Sequence, residues 1–218
     1  MPLITPGLYH GCYNLMYGKF RREVVLVYYK KFCWGNAKER SKCMTQIKQD
    51  IFSNGVEQSD PKHLFSKISK YLHPTKGDCV FVLGKKVTGD YHVTCDRLTF
   101  GALVSPQIEE KQQHNTFSRI RDRGDDGCGK TYPVLRRFFG FGTLSFPGFH
   151  SPHWDEGTLV QIDPRDDSHK SQQTCPSFAF VWGRNDQPED EENVAEATVL
   201  RWVKDQDLFP FFSRHCRR

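Results

Sequence analysis

Short runs of β-branched and aromatic residues, separated by glycine, proline and charged stretches, dominate the hydropathy pattern of this chain. Arg22 to Tyr29 (REVVLVYY) reads as a buried strand, and Cys79 to Leu83 repeats the signal ahead of turn residues Gly84 and Gly89. Further strands are expected at Leu135 to Leu144, Thr158 to Ile162, Ser177 to Trp182 and Ala195 to Trp202. Crossover helices between successive strands are largely missing, so a sandwich or barrel fits better than a parallel α/β fold. Between Trp34 and Lys76 the period changes. Asn36 followed by Glu39 resembles a capping box, and Met44, Ile47 and Ile51 then share a helical face that Gly55 can end. A second helix is signalled by Asp60 as N-cap and Pro61 at the first position, with Leu64, Phe65, Ile68 and Leu72 on one face until His73-Pro74. The expectation is a mainly β chain, residues 1–218 as one barrel-like antiparallel domain, with a helical hairpin inserted at 34–77 and a polar surface loop at 107–131. Polar gaps also fall at Asp163 to Gln173 and Asn185 to Asn193.

Composition narrows the classes. The 218 residues are 37% hydrophobic and 26% charged, enough for one sizeable core and against disorder of the whole chain. There is no apolar run long enough to span a bilayer, and Met1 to Pro6 has neither the basic nor the apolar part of a signal peptide, so no membrane is expected and the compartment is cytoplasm or nucleus. The formal charge of +5 arises from short basic clusters such as Arg136-Arg137, without the dense basic stripe or recognition motif of a nucleic-acid binder. Eight cysteines at irregular spacing include no C-x-x-C pair and read as reduced thiols. His150 and His153, three apart, are spaced as a metal-binding pair could be. Pro152 between them favours a turn between strands, so no metal and no cofactor is expected.

Two enzymatic patterns need weighing. Gly124 to Thr131 (GDDGCGKT) matches the P-loop letter for letter. A phosphate cradle needs a buried strand before it and a helix after it, whereas charged FSRIRDR precedes this segment and β-like VLRRFFGFG follows it. Its two aspartates would also repel phosphate. Neither G-x-S-x-G nor H-E-x-x-H occurs, and a thiol nucleophile has only the abundance of cysteine and histidine behind it. A small nucleotide-dependent or thiol-dependent enzyme is the alternative reading; a non-catalytic one is preferred.

Binding chemistry concentrates in Lys85 to Asp90 (KKVTGD). A lysine and an aspartate flanking a glycine turn can present an ammonium and a carboxylate to a peptide end, or can simply border a solvated hairpin. Phe149, Trp154, Phe180 and Trp182 are candidate aromatic anchors. In FAFVW the residues Phe178, Phe180 and Trp182 share one strand face, where a barrel core is the default use. The glycines at 140, 142 and 148 read as sites of bulges and bends.

Four motifs in order, PGLYHGCY (Pro6 to Tyr13), KKVTGD, FGFGTLSFPGFHSPHW (Phe139 to Trp154) and FAFVW, resemble the substrate-receptor domain of the F-box-only protein thirty-one family. Its members select targets for a Skp–cullin–F-box ubiquitin ligase. The resemblance implies a module that binds the C-terminal tail of target proteins for ubiquitin-dependent degradation, with Lys86 and Asp90 at the pocket and Thr88 between them; of the aromatic anchors, Phe149 and Trp182 are expected to join them as peptide-binding residues. This chain departs from the family by the hairpin insert and by Tyr91 and His92 after the turn. The family carries an F-box ahead of the receptor domain, and the five residues before Pro6 hold none. A Skp-type adaptor and cullin are therefore expected as partners only if an F-box is supplied elsewhere.

Overall fold

The computed structural model describes residues 4–13, 21–52, 62–88, 93–106, 117–122, 130–146, 148, 150–163, 178–182 and 194–203. Among the described residues nine strands are formed: β1 (Gly7–Tyr13), β2 (Arg21–Trp34), β3 (Gly77–Lys86), β4 (Leu98–Ser105), β5 (Arg119–Asp122), β6 (Thr131–Phe146), β7 (His150–Ile162), β8 (Phe178–Trp182) and β9 (Val194–Trp202). Two helices, α1 (Ala37–Ile47) and α2 (Lys62–Tyr71), lie between β2 and β3, with a π turn at Lys48–Phe52.

The strands pair antiparallel in the order β1-β2-β3-β4-β6-β7-β8-β9, and Tyr9 opposite Trp202 with His10 opposite Arg201 returns the ring to β1. The result is a closed eight-stranded antiparallel barrel. Closure gives each strand two neighbours and removes the open edges that invite aggregation. Side chains alternate across its wall. On β2, Val25 and Val27 point inward, where they meet Val82, Phe100, Phe138, Leu159 and Phe180. One end of this interior is filled by Ile4, whose backbone N–H donates to the Tyr29 hydroxyl, while that hydroxyl donates to the Ile4 carbonyl, both at 2.8 Å. The Tyr9 hydroxyl donates to the Thr5 carbonyl nearby.

β5 adds a second circuit. It runs antiparallel to β6 and parallel to β9, so β5-β6-β7-β8-β9 also closes on itself. This ring encloses the opposite face of β7 and β8: Val160, Ile162, Ala179 and Val181 pack there with Ile120 and Tyr132. A register shift between Val134 and Arg136 lets β6 serve both rings. Val134 opposes Ile162 on the small-ring side, and Phe138 opposes Leu159 on the barrel side.

The stretch read as a polar loop therefore contains a strand. In RIRD, Ile120 and Asp122 are buried and Arg119 and Arg121 exposed, an alternation too short and too charged to stand out in the sequence. Asp122 is ion-paired with Arg201. The turn expected at His150 to His153 is also corrected. These residues open β7 opposite Phe146 and Leu144, with a register shift and Ser151 at φ 47° absorbing the irregularity around Pro152.

Local signals set the start of α1. Asn36 Oδ1 accepts from the Glu39 N–H at 2.9 Å, and Glu39 Oε2 accepts from the Gly35 N–H at 2.6 Å, which satisfies donors the helix cannot. Arg40 crosses to α2, donating to the Ser69 carbonyl at 2.9 Å. Gly55, Asp60 and Pro61 lie outside the described residues. Beneath the helices, Ile47, Ile51, Phe52, Leu64 and Ile68 pack on Phe81, Leu83, Phe141 and Trp154, all on the outside of the barrel wall.

Candidate functional site

Lys86 ends β3 on the face that carries Val82, so its side chain turns into the barrel rather than toward solvent. Its Nζ lies 2.5 Å from Oε2 of Glu23, and the two side chains are 2% and 3% exposed. Glu23 precedes Val25 and Val27 by the strand period of two, which brings it to the same interior. Removed from water, neither charge is tolerable alone, so the pair stands or falls together.

The backbone beyond Lys86 is fastened on both sides. Lys86 exchanges bonds with Arg97 and Asp96 (N–H to the Arg97 carbonyl 2.9 Å; Asp96 N–H to the Lys86 carbonyl 2.8 Å). The Val87 N–H donates to the Val24 carbonyl at 2.9 Å, and the Thr88 hydroxyl oxygen accepts from the Val24 N–H at 2.8 Å. Thr88 thus anchors the segment that leads to Asp90. Asp90 itself and Phe149 lie outside the described residues.

Trp182 closes β8 on the face of Phe178 and Phe180, and its ring meets Phe180 edge-on at 4.8 Å. Its indole N–H points to the Thr198 hydroxyl at 3.4 Å. The ring occupies space that only a glycine leaves: a Cβ on Gly142 would lie 2.1 Å from it. Gly140 and Gly157 make the same allowance for Phe180. These glycines therefore admit aromatic rings into the lumen, where the sequence had suggested bulges and bends; Gly148, at φ 80°, does occupy a turn conformation. In the eight-strand ring β3 and β8 are four strands apart in either direction, so Lys86 and Trp182 project from opposite walls into one interior.

The described part of the helical hairpin packs on the outside of the barrel wall. Trp154 belongs to the hairpin's side of the wall, where its indole N–H donates to the Phe52 carbonyl at 3.2 Å. Lys67 of α2 is paired with Glu156 at 2.5 Å on the same outer surface. At the hairpin's root an open cleft of about 460 Å³ is lined by Cys33, Trp34, Glu39, Lys76 and Asp78, none of them a residue singled out for binding.

Rival chemistries find little support. Thr131 opens a strand of 16 residues where a P-loop requires a helix, while Gly124 to Gly129 lie outside the described residues. Burial pushes the Cys79 thiol up to about 12, helped by Cys43 and Asp78, and raises Cys43 as well, so both disfavour the thiolate a nucleophile needs. Among the described residues no three His, Cys, Asp or Glu side chains are gathered to hold a metal ion. No helix among them is long and apolar enough to cross a membrane.

Among the described residues the lumen holds a buried charged pair and a set of aromatic rings, Trp182 among them. Residues 2–187 match the family described as Cyclin D1 binding domain. The chain belongs to that family. No curated protein matches it. A Cyclin D1 binding domain is a protein-interaction module, and its implied partner is a protein.

Glu23 is the member of this site that the sequence did not single out. Its signal was present: it heads REVVLVYY in phase with the inward valines, but a glutamate at a strand's start ordinarily reads as solvent-facing.

Proposed function

We propose that this chain is a non-catalytic receptor that grips a segment of another protein at the barrel interior, with Lys86, Thr88, Asp90, Phe149 and Trp182 as the contact set. The observation that carries the reading is membership, over residues 2–187, of a family described by its binding of cyclin D1. Cyclin D1 is accordingly the first partner to test. The KKVTGD turn supports the finer reading that the bound segment is a C-terminal tail. Asp90 would accept hydrogen bonds from a terminal N–H, and Lys86, already held by Glu23, would set the local charge. On the resemblance to the F-box-only thirty-one receptors, the bound target is passed to ubiquitination and degradation in cytoplasm or nucleus. A Skp-type adaptor and cullin would enter through an F-box.

Calorimetry of the purified chain with cyclin D1, and with short peptides carrying free or amidated C-termini, tests this. The expected result is terminus-dependent binding that Asp90→Ala and Trp182→Ala remove and Lys130→Ala leaves unchanged. Wild-type protein that binds neither cyclin D1 nor any tail would overturn the proposal. So would a nucleotide-dependent activity abolished by Lys130→Ala.

A further inference from the structure

Residues 34–77 hold eight Lys and Arg against four Asp and Glu, and the rest of the chain holds 23 against 22. Four of the five net positive charges therefore reside in the hairpin segment, and the structure sorts them by direction. Arg40 turns toward α2 to bind the Ser69 carbonyl, and Lys67 turns toward the barrel to meet Glu156. Lys38 and Lys42 on α1, and Lys70 on α2, are exposed. Lys38 and Lys42 are four residues apart, about one turn, and all three lysines lie on the sides away from the buried Met44 and Ile47 or Leu64 and Ile68. Both helices lay their apolar sides on the same outer wall, so these lysines share one outward surface. Its described acids are engaged: Glu39 caps α1, and Asp50 pairs with Lys30 at 2.7 Å.

We propose that the outward faces of α1 and α2 form a docking surface for an acidic segment of a partner protein, separate from the barrel interior. Charge complementarity selects that partner class. A membrane surface would require apolar side chains to insert, and among the described residues the exposed large hydrophobics, Leu26, Leu135 and Trp202, all sit on strands. Nucleic acid is ordinarily held by arginine forks and stacking aromatics, whereas the single arginine of the pair of helices is turned inward and their exposed positions hold no Phe, Tyr or Trp. Separated ammonium groups at helical spacing suit carboxylates on a flexible chain, by an attraction that salt screens.

Fluorescence anisotropy with the full chain tests the surface, using a short labelled oligoglutamate peptide, duplex DNA and vesicles containing phosphatidylserine at low and physiological salt. Lys38→Gln/Lys42→Gln/Lys70→Gln is compared with Arg119→Gln/Lys130→Gln/Arg136→Gln, which removes as many exposed charges from β5, β6 and the residue leading into β6, and equal thermal midpoints establish that both remain folded. The expected result is salt-sensitive peptide binding weakened about tenfold or more by the hairpin variant, the product of several modest exposed pairs, and little changed by the strand variant. Equal weakening by both variants would reduce the effect to net charge and overturn the proposal. Absence of peptide binding, or preference for DNA or vesicles over the peptide, would overturn it too.

Discussion

β3 borders two interiors built on different rules. Toward the lumen it presents Val82, Gly84 and Lys86; toward the helices it presents Cys79, Phe81 and Leu83. The helix-covered side is an ordinary apolar interface, in which Phe52, Phe141 and Trp154 meet ring to ring at 4.8–5.5 Å. The lumen is narrower and more exacting. Phe100 stacks on Phe180 at 5.0 Å only because Gly84, Gly140 and Gly157 leave room, and a buried ion pair stands among these rings. An apolar interface tolerates local loosening because its helices attach to a wall already closed. A lumen does not, because every strand of the ring borders it.

The sharpest way to break this contrast is at the ion pair. Lys86→Met should cost about 3–5 kcal/mol in chemical unfolding, because Glu23 is left buried and uncompensated, and Lys86→Met/Glu23→Leu should recover most of it. A single variant as mild as an exposed lysine change would show that the lumen tolerates charge. The double variant also separates stability from recognition: folded but unable to bind a tail, it would assign Lys86 to the site.

On the other side, Ile68→Ala should cost about 2–5 kcal/mol for a fully buried aliphatic side chain. Its signature is spatial. Hydrogen exchange should rise in α1 and α2 while β2, β3 and β6 keep their protection; uniform loss would mean that hairpin and barrel unfold as one unit.

Gly142→Ala should cost about 1–3 kcal/mol, since a Cβ placed 2.1 Å from the Trp182 ring forces that ring aside. Near-ultraviolet dichroism should report the displaced indole, and an unchanged spectrum would mean that Trp182 is not seated there.

The smallest effect concerns the plugged end. Burial, then the neighbouring Tyr29, pushes the Tyr9 hydroxyl from 10 up to about 12. Because the fold favours the neutral form, the associated stability is complete below pH 10 and is lost as pH rises through about 12. The thermal midpoint should fall over that window, and Tyr9→Phe should flatten the fall while losing roughly 0.5–1.5 kcal/mol for the hydrogen bond to Thr5. Burial also raises Tyr28 and Tyr71, so some slope remains. A slope identical in the variant would place the titration elsewhere.

The elements legible in the sequence were those whose signals are local. The α1 cap needs only Asn36 and Glu39, and the strands with long β-branched or aromatic runs announce themselves through their own side chains. β4 went unread because Leu98 to Leu103 are all buried, which erases alternation, and β1 because its glycines weaken the strand signal. β5 is two alternations of charge and apolar residue that acquire meaning only between β6 and β9.

The site divides in the same way. Composition and short-range pattern determined a β domain with a helical insert, and left Lys86 and Trp182 open between binding and ordinary structural roles. That Lys86 turns inward onto Glu23, that Trp182 faces it from the opposite wall, and that the hairpin packs outside and carries its lysines outward were decided by tertiary structure alone. A strand's period divides its residues into two faces without saying which is interior, and that choice is made when distant strands close into a ring.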